Sequence, residues 1–151
     1  MSIESFFDYE NLQKDDILIC KFVANGKTIT HLRTISFLEK MKETMLLFRQ
    51  EKVSRCCLYF HVGKMKMPTN FKLLKEYSEI FKQNKDILEE KLQFTIIQSS
   101  NNVFRMFFKL FKQFYTPIKP MYLCKNDEQT NNCLNDSNLR SNLPTFNVSQ
   151  S

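Results

Sequence analysis

The stretch CCLYFHVGKMKMPTNFKLLKEYSEIFKQ, residues 56–83, indicates which fold class the chain adopts. It opens with a run of apolar and aromatic residues that ends at Gly63, which is typical of a buried strand. After Pro68, either Thr69 or Asn70 can cap a helix. Apolar residues then recur at helical spacing: Phe71, Leu74, Tyr77 and Phe81. A buried strand followed by an amphipathic helix is the unit of an α/β protein.

The same alternation extends on both sides of this unit. Upstream, DILICKFVANGKTITHLRT (16–34) predicts a β-hairpin with strands at 17–22 and 27–34, joined by Asn25-Gly26 as a type I′ turn. Ser36 and Glu39 then form a capping box that opens a helix. Downstream, Asp86 opens a helical turn that precedes a strand within 92–100. A helix at 101–115, a short strand ending near 124 and a final helix within 126–134 follow in that order.

We therefore expect an α/β fold: a single-domain sandwich with a mixed sheet of about five strands, an N-terminal β-hairpin edge and about four helices. The expected domain covers residues 16–134. Residues 1–15 are expected to be an N-terminal extension, and residues 135–151 a flexible Asn/Ser-rich tail.

Composition narrows the class of protein. The chain has 151 residues and a formal net charge of +6, which favours acidic partners without naming one. The N-terminal stretch is acidic and lacks the apolar run of a secretory signal, and no stretch reaches the ~18 apolar residues that span a bilayer. The cysteine number is odd, at five, and no C-x-x-C occurs, which favours buried free thiols in the cytoplasm and neither a metal site nor a cofactor.

The segment NNVFRMFFKLFKQFY, residues 101–115, is unusually aromatic. On a helical wheel it carries two apolar stripes, one of which can cover the sheet. The second stripe packs on a neighbouring helix or forms an exposed face for a partner or an anionic membrane surface. The candidate face consists of Phe104, Phe108, Phe111 and Tyr115, with the basic residues Arg105, Lys109 and Lys112.

A candidate binding loop follows the strand at the start of the quoted stretch. Ligands of open α/β sheets favour the carboxyl ends of strands, and helix N-termini attract anions. The loop residues are His61, Lys64, Lys66, Thr69 and Asn70. They predict a site for a phosphate or for a partner's carboxylate; the alternative is a solvated loop with an ordinary helix cap.

The order of elements over residues 16–134 resembles a STAS domain of the anti-sigma-factor-antagonist type. In that family a buried strand ends near a glycine, and an Asp-Ser-Ser-Gly-type turn opens the next helix. Here the strand ends at Gly63 and the turn reads Met67-Pro68-Thr69-Asn70, so the family's Asp and Gly are missing and Thr69 is the nearest hydroxyl. The resemblance implies an α/β sandwich with an opening hairpin and a tendency to bind other proteins. The missing Asp and Gly argue against the phosphorylation switch of that family. A weaker resemblance is to CRAL-TRIO-like lipid-binding domains.

Catalytic chemistry is not indicated. No nucleotide-binding loop, zinc-protease motif or nucleophile elbow occurs, and His31 and His61 lack neighbouring carboxylates or nucleophiles in the sequence. Interleaved lysine and aromatic residues typical of nucleic-acid binding are also not evident. We expect a non-enzymatic interaction or regulatory module with another protein as its partner, and a peripheral membrane or lipid-associated module as the alternative.

Overall fold

A computed structural model describes residues 5–63, 71–100, 116–141, 143 and 145–146. Its centre is one mixed six-stranded sheet in which the strands lie side by side in chain order. The strands are β1 (Phe7–Lys14), β2 (Ile17–Ala24), β3 (Arg55–His61), β4 (Leu92–Gln98), β5 (Met121–Cys124) and β6 (Thr145–Phe146). Strands β2 to β5 run parallel, whereas β1 and β6 pair antiparallel at the two ends. The α/β class, the mixed sheet and the opening hairpin edge are thus confirmed.

The described helices connect or follow these strands. They are α1 (His31–Phe48), α2 (Phe71–Gln83), α3 (Lys85–Lys91), α4 (Asp127–Asn135) and α5 (Ser137–Arg140). When parallel strands follow one another in chain order, crossovers of one hand place their helices on one face of the sheet. Accordingly, apolar side chains of α1, α2 and α3 share one core with the sheet, built around residues such as Phe22, Phe48 and Leu88.

A second, smaller core lies on the other face of the sheet. It contains Ile19, Cys57, Tyr59, Phe94, Ile96, Cys124 and Cys133. Helix α4 contributes Cys133, and in α5 the guanidinium carbon of Arg140 lies 4.1 Å from the centroid of the Phe94 ring. The sheet is therefore covered by α1–α3 on what we call the first face and by α4–α5 on the second face.

The position of the hairpin predicted from the sequence is wrong. The turn lies at Asp15-Asp16, and β1 pairs with β2 over eight residue pairs. Asn25-Gly26 does form a turn, with φ of +82° at Gly26, but this turn leads out of β2 towards α1. With β1 on one edge of β2 and β3 on the other, no edge of β2 remains for a strand at 27–34.

The start of α1 also differs from the prediction. The helix begins at His31, because the Thr30 hydroxyl accepts a hydrogen bond from the Arg33 N–H at 3.2 Å and caps it. The Ser36 and Glu39 pair lies inside the helix, so it is not a capping box.

Both predicted chain ends need correction as well. Residues 7–14 of the expected N-terminal extension form the edge strand β1. Within the expected tail, α5 and the short strand β6 are ordered parts of the fold, because Arg140 Nε donates to the Cys133 carbonyl at 2.7 Å and β6 pairs with β5. The predicted helix at 101–115 lies outside the described residues.

Candidate functional site

A group of polar side chains lies on the second face, towards the carboxyl ends of the parallel strands. Side chains alternate between the two faces of a strand, so residues two apart share a face. The carboxyl-edge site, as we call it, consists of Lys21, Tyr59, His61, Gln98, Asp127 and Thr130. Lys21 lies opposite Tyr59 in the strand register, and His61 lies opposite Gln98. Four separate elements thus contribute to one surface region.

Gln98 is the centre of a hydrogen-bond network. Its Oε1 accepts from the Tyr59 hydroxyl and, at 2.7 Å, from the Thr130 hydroxyl. Its Nε2 donates to Asp127 Oδ1 at 2.8 Å. Because both hydroxyls need an acceptor and the carboxylate needs a donor, these three partners fix the orientation of the amide. The network joins β3 and β4 to the first turns of α4.

This network is largely hidden from solvent. The exposed fraction is 5% for Gln98 and 2% for Thr130. A buried polar group that loses its partner costs about 1–3 kcal/mol, so α4 is held against the sheet by bonds that are costly to break. Burial also raises the pKa of the Tyr59 hydroxyl to about 12, with hydrogen bonding from Thr130 opposing the shift. The phenol therefore stays protonated and serves as a donor.

The ring of Tyr59 is contacted from two sides. The Lys21 ammonium nitrogen lies 5.3 Å from its centroid, a cation–π distance. The His61 ring lies 6.5 Å away, at an interplanar angle of 28°. The side chains of Lys21, Tyr59 and His61 thus lie together on the second face.

His61 has an unused hydrogen-bonding atom. Its side chain is half-buried at the end of β3. Within the described part of the chain, the buried Nδ1 atom has no hydrogen-bond partner. Buried polar atoms are nearly always paired, so this atom is an exception among the described side chains. Neither His61 nor Lys21 takes part in the hydrogen-bond network centred on Gln98.

The N-terminus of α4 carries a side-chain cap. Asn126 caps the helix by accepting from the Gln129 N–H at 2.9 Å. In return, Gln129 Oε1 accepts from the Lys125 N–H at 2.8 Å. This reciprocal pair resembles a capping box, and it satisfies one N–H group of the first turn, that of Gln129.

All five cysteines are free and buried, as expected for four of them from their apolar surroundings. Cys124 and Cys133 are adjacent on the second face: a hydrogen bond from Cys133 lowers the pKa of Cys124, and the same bond raises the pKa of Cys133. Burial raises the pKa of Cys20 to about 11 and that of Cys56 to about 12. Neither of the last two thiols is a ready nucleophile, because the thiolate is the reactive form.

The predicted site residues divide between described and undescribed parts of the chain. The structure places His61 at the end of β3, as the sequence indicated. The other loop residues, Lys64, Lys66, Thr69 and Asn70, lie outside the described residues. The same holds for the candidate contact face on the predicted helix: Phe104, Arg105, Phe108, Lys109, Phe111, Lys112 and Tyr115.

Sequence reasoning did not identify the partners around His61. Gln98 ends an apolar strand and Asp127 opens a polar helix, so neither has a pattern of its own. The useful signal was that Gln98 ends one predicted strand and Asp127 follows another, because the carboxyl ends of parallel strands meet at one edge of the sheet.

The comparisons do not assign the chain to a family: it matches no protein-family model, no curated protein and no solved structure. In the part of the chain that the structure describes, no three His, Cys, Asp or Glu side chains are grouped so that they could hold a metal ion. None of the helices described there combines the length and the apolar character needed to cross a bilayer.

Proposed function

We propose that the protein is a non-enzymatic interaction or regulatory module of STAS-like type, acting in the cytoplasm and binding another protein at the carboxyl-edge site. The observation that carries the proposal is the half-buried His61 imidazole at the end of β3, which lies beside Tyr59 and opposite Gln98. The part of this ring that remains open to solvent can contact a bound protein.

The internal bonding of the site supports binding over catalysis. Tyr59, Gln98, Thr130 and Asp127 bond to one another, so their hydrogen-bonding capacity serves to fix α4. Small-molecule sites of open α/β sheets lie where the strand order reverses. From β1 to β6 the order of this sheet does not reverse. An edge whose polar network is already complete, with His61 and Lys21 outside it, suits a protein contact.

The architecture agrees with what the family resemblance implies. A STAS-like sandwich opens with a hairpin, and β1 and β2 form one. The five free cysteines support a reducing compartment. The basic loop residues Lys64 and Lys66 follow β3 in the sequence, which favours an acidic or phosphorylated surface on the partner.

The test is affinity purification of the tagged full-length chain from native lysate, with quantitative mass spectrometry. His61→Phe keeps a ring beside Tyr59 and removes the nitrogen atoms. Loss of one central polar contact costs about 1.4 kcal/mol or more, so we expect the recovered partner to fall roughly tenfold. Charge reversal of Lys64 and Lys66 should have the same effect.

Lys52 provides the matched control, because it is exposed in the turn before β3, at the opposite end of that strand. Lys52→Glu changes the net charge without touching the site and should leave recovery unchanged. If His61→Phe and the double charge reversal recover the same proteins as the wild type, the carboxyl edge is not the contact surface and the proposal fails.

The alternative proposal is a peripheral membrane or lipid-associated module. Its support is the pattern of segment 101–115, in which lysine and arginine flank a phenylalanine-rich face. Sedimentation with vesicles containing phosphatidylserine should then be salt-sensitive and should be lost in Phe108→Asp. Absence of the wild-type chain from the vesicle pellet at low salt would exclude this alternative.

A further inference from the structure

The outer edge of β1 is open in the described part of the structure. β1 pairs with β2 on one side, and no described strand pairs with it on the other. It is eight residues long, its register with β2 has no shift, and it contains no proline. An edge without bulges or prolines is a template on which a further strand can pair.

The register with β2 shows which backbone groups point to the open side. The Asn25 N–H donates to the Phe6 carbonyl at 3.1 Å, and these two residues continue the pairing of β1 with β2. In an antiparallel pair, residues that exchange hydrogen bonds alternate with residues that do not, so the even-numbered residues of β1 bond to β2. The residues of β1 whose N–H and C=O groups point outward are then Tyr9, Asn11 and Gln13.

The charges of β1 are balanced unevenly within its own sheet. Glu10 faces Lys21 of β2, so its charge already has an opposite neighbour. Asp8 faces Val23 and Lys14 faces Ile17, and neither forms an ion pair with a described residue. The strand therefore carries one unbalanced negative charge near its start and one unbalanced positive charge at its end.

A second copy of β1 can balance both charges at once. Identical antiparallel strands are related by a two-fold axis, and the outward residues must bond to outward residues. A register centred on Tyr9 sets Asp8 against Glu10, and a register centred on Glu10 sets that residue against itself. Like charges directly opposite each other are destabilising, so both registers are disfavoured.

The register centred on Asn11 has neither fault. It sets Asp8 of each copy against Lys14 of the other, and these facing side chains lie in the non-bonded positions, where side chains approach most closely. Its ladder uses every outward residue, because Asn11 bonds to Asn11 and Tyr9 bonds to Gln13. A register centred on Leu12 pairs Glu10 with Lys14 and has a shorter ladder, since Tyr9 then lies beyond the end of the facing strand.

We propose that β1 pairs antiparallel with β1 of a second copy of this chain, in the register centred on Asn11, so that one sheet continues through both copies. The occupant is a second copy because the same strand supplies the outward backbone groups and both members of the Asp8–Lys14 pair. This surface is the strand edge of β1, which is separate from the His61 region of the carboxyl-edge site.

Sedimentation velocity of the full chain over a range of concentrations tests the proposal. Physiological ionic strength is used, because it screens the repulsion between two chains that each carry a net charge of +6. We expect a dimer that dissociates on dilution. Asp8→Lys alone and Lys14→Asp alone set like charges at both facing pairs, so each should raise the dissociation constant at least tenfold. An equal mixture of the two variants should associate again, because each facing pair then joins opposite charges.

Glu10→Gln is the matched control for the register. In the proposed register Glu10 faces Leu12, so this variant should dimerise as the wild type does. If Glu10→Gln weakens the dimer as much as Asp8→Lys, the Leu12-centred register is the correct one and the proposed pairing is overturned.

Asn11→Pro tests the backbone ladder. The Asn11 N–H does not bond to β2, and proline is tolerated in an edge strand whose N–H points outward, so the melting temperature should stay close to that of the wild type. The dimer should weaken at least tenfold. In the wild type, amide exchange at Tyr9, Asn11 and Gln13 should slow as the concentration rises, whereas exchange at Leu12, which bonds to β2, should change little.

Three results would overturn the inference. The first is a wild-type chain that stays monomeric at the highest concentration. The second is a mixture of Asp8→Lys and Lys14→Asp that does not associate. The third is a dimer whose outward amides exchange as fast as those of the monomer, because another surface then forms the contact. His61→Phe should leave dimerisation unchanged, so this proposal and the proposed function are tested separately.

Discussion

Lys91 is a buried lysine whose removal should destabilise the fold. It is the last residue of α3 and only 9% exposed. Its ammonium donates to the Phe48 carbonyl at 2.7 Å and to the Gln50 carbonyl at 2.9 Å, at the end of α1. Helix α1 has no basic residue in its own last turn, so Lys91 supplies the positive charge that favours a helix C-terminus.

The magnitude follows from these two bonds. A hydrogen bond to a charged group contributes about 1.5–3 kcal/mol, and removing the donor leaves a buried acceptor unsatisfied. Part of this gain is offset by the cost of burying the ammonium. We therefore expect Lys91→Met, which keeps the length of the side chain, to lower the free energy of unfolding by about 2–4 kcal/mol. The melting temperature should fall by roughly 2–4 °C for each kcal/mol.

Urea denaturation, monitored by circular dichroism, measures this change in the free energy of unfolding, provided that the m-value stays constant. Lys85→Met is the matched control, because Lys85 opens the same helix but its side chain is 64% exposed. Exposed ion pairs contribute about 0–1 kcal/mol, so the control should remain close to the wild type. A Lys91→Met variant as stable as the control would show that desolvation cancels the two hydrogen bonds, and the reasoning would be refuted.

Three further predictions concern the hairpin turn, an ion pair and the network. Asp15 has a positive φ of 53°, which a β-branched residue tolerates poorly. In urea denaturation, Asp15→Val should therefore lower the free energy of unfolding by about 1–2 kcal/mol, whereas Asp15→Asn should leave it almost unchanged. Equal stability of the two variants would contradict this backbone argument. Asp86 bonds to Arg49 at 2.8 and 2.9 Å, which lowers its pKa to about 2. The stability that this ion pair gives the fold is complete above the ordinary carboxyl pKa of about 3.9 and is lost as the pH falls towards 2. An NMR titration of the Asp86 carboxyl group should show the lowered pKa in the wild type and an ordinary pKa in Arg49→Gln. Because the pKa of Tyr59 is raised to about 12, its contribution to stability is present below pH ~10 and declines as the pH rises towards 12. Tyr59→Phe should flatten the alkaline limb of the stability curve, and an unchanged limb would count against the assignment.

The elements that the sequence predicted well are those with a buried apolar pattern. Strands β3 and β4 are mostly apolar on both faces, since both faces of a parallel sheet are covered, and α2 shows helical periodicity. β1 was missed because an exposed edge strand has mostly polar side chains. Both Asp15-Asp16 and Asn25-Gly26 can turn the chain, and local preference could not decide which turn closes the hairpin.

Sequence analysis predicted one described residue of the candidate site, and the fold brings the other residues next to it. His61 was identified because it ends a strand. Gln98 and Asp127 are 29 residues apart, and Gln98 and Tyr59 are 39 apart, so no local spacing relates them. Their hydrogen bonds exist because the sheet aligns the ends of β3 and β4 and α4 begins beside them.

The sequence by itself determined the type of each buried element and hence the α/β class. The spacing of apolar residues differs between a helix and a strand, and it indicates which face of the segment is buried. Only the tertiary structure decided that β1 takes the edge of the sheet, that Lys91 caps α1 and that Gln98 joins three partners. Those outcomes depend on which distant segments pair. Pairing is set by the summed free energy of long-range contacts, and no local pattern in the chain records it.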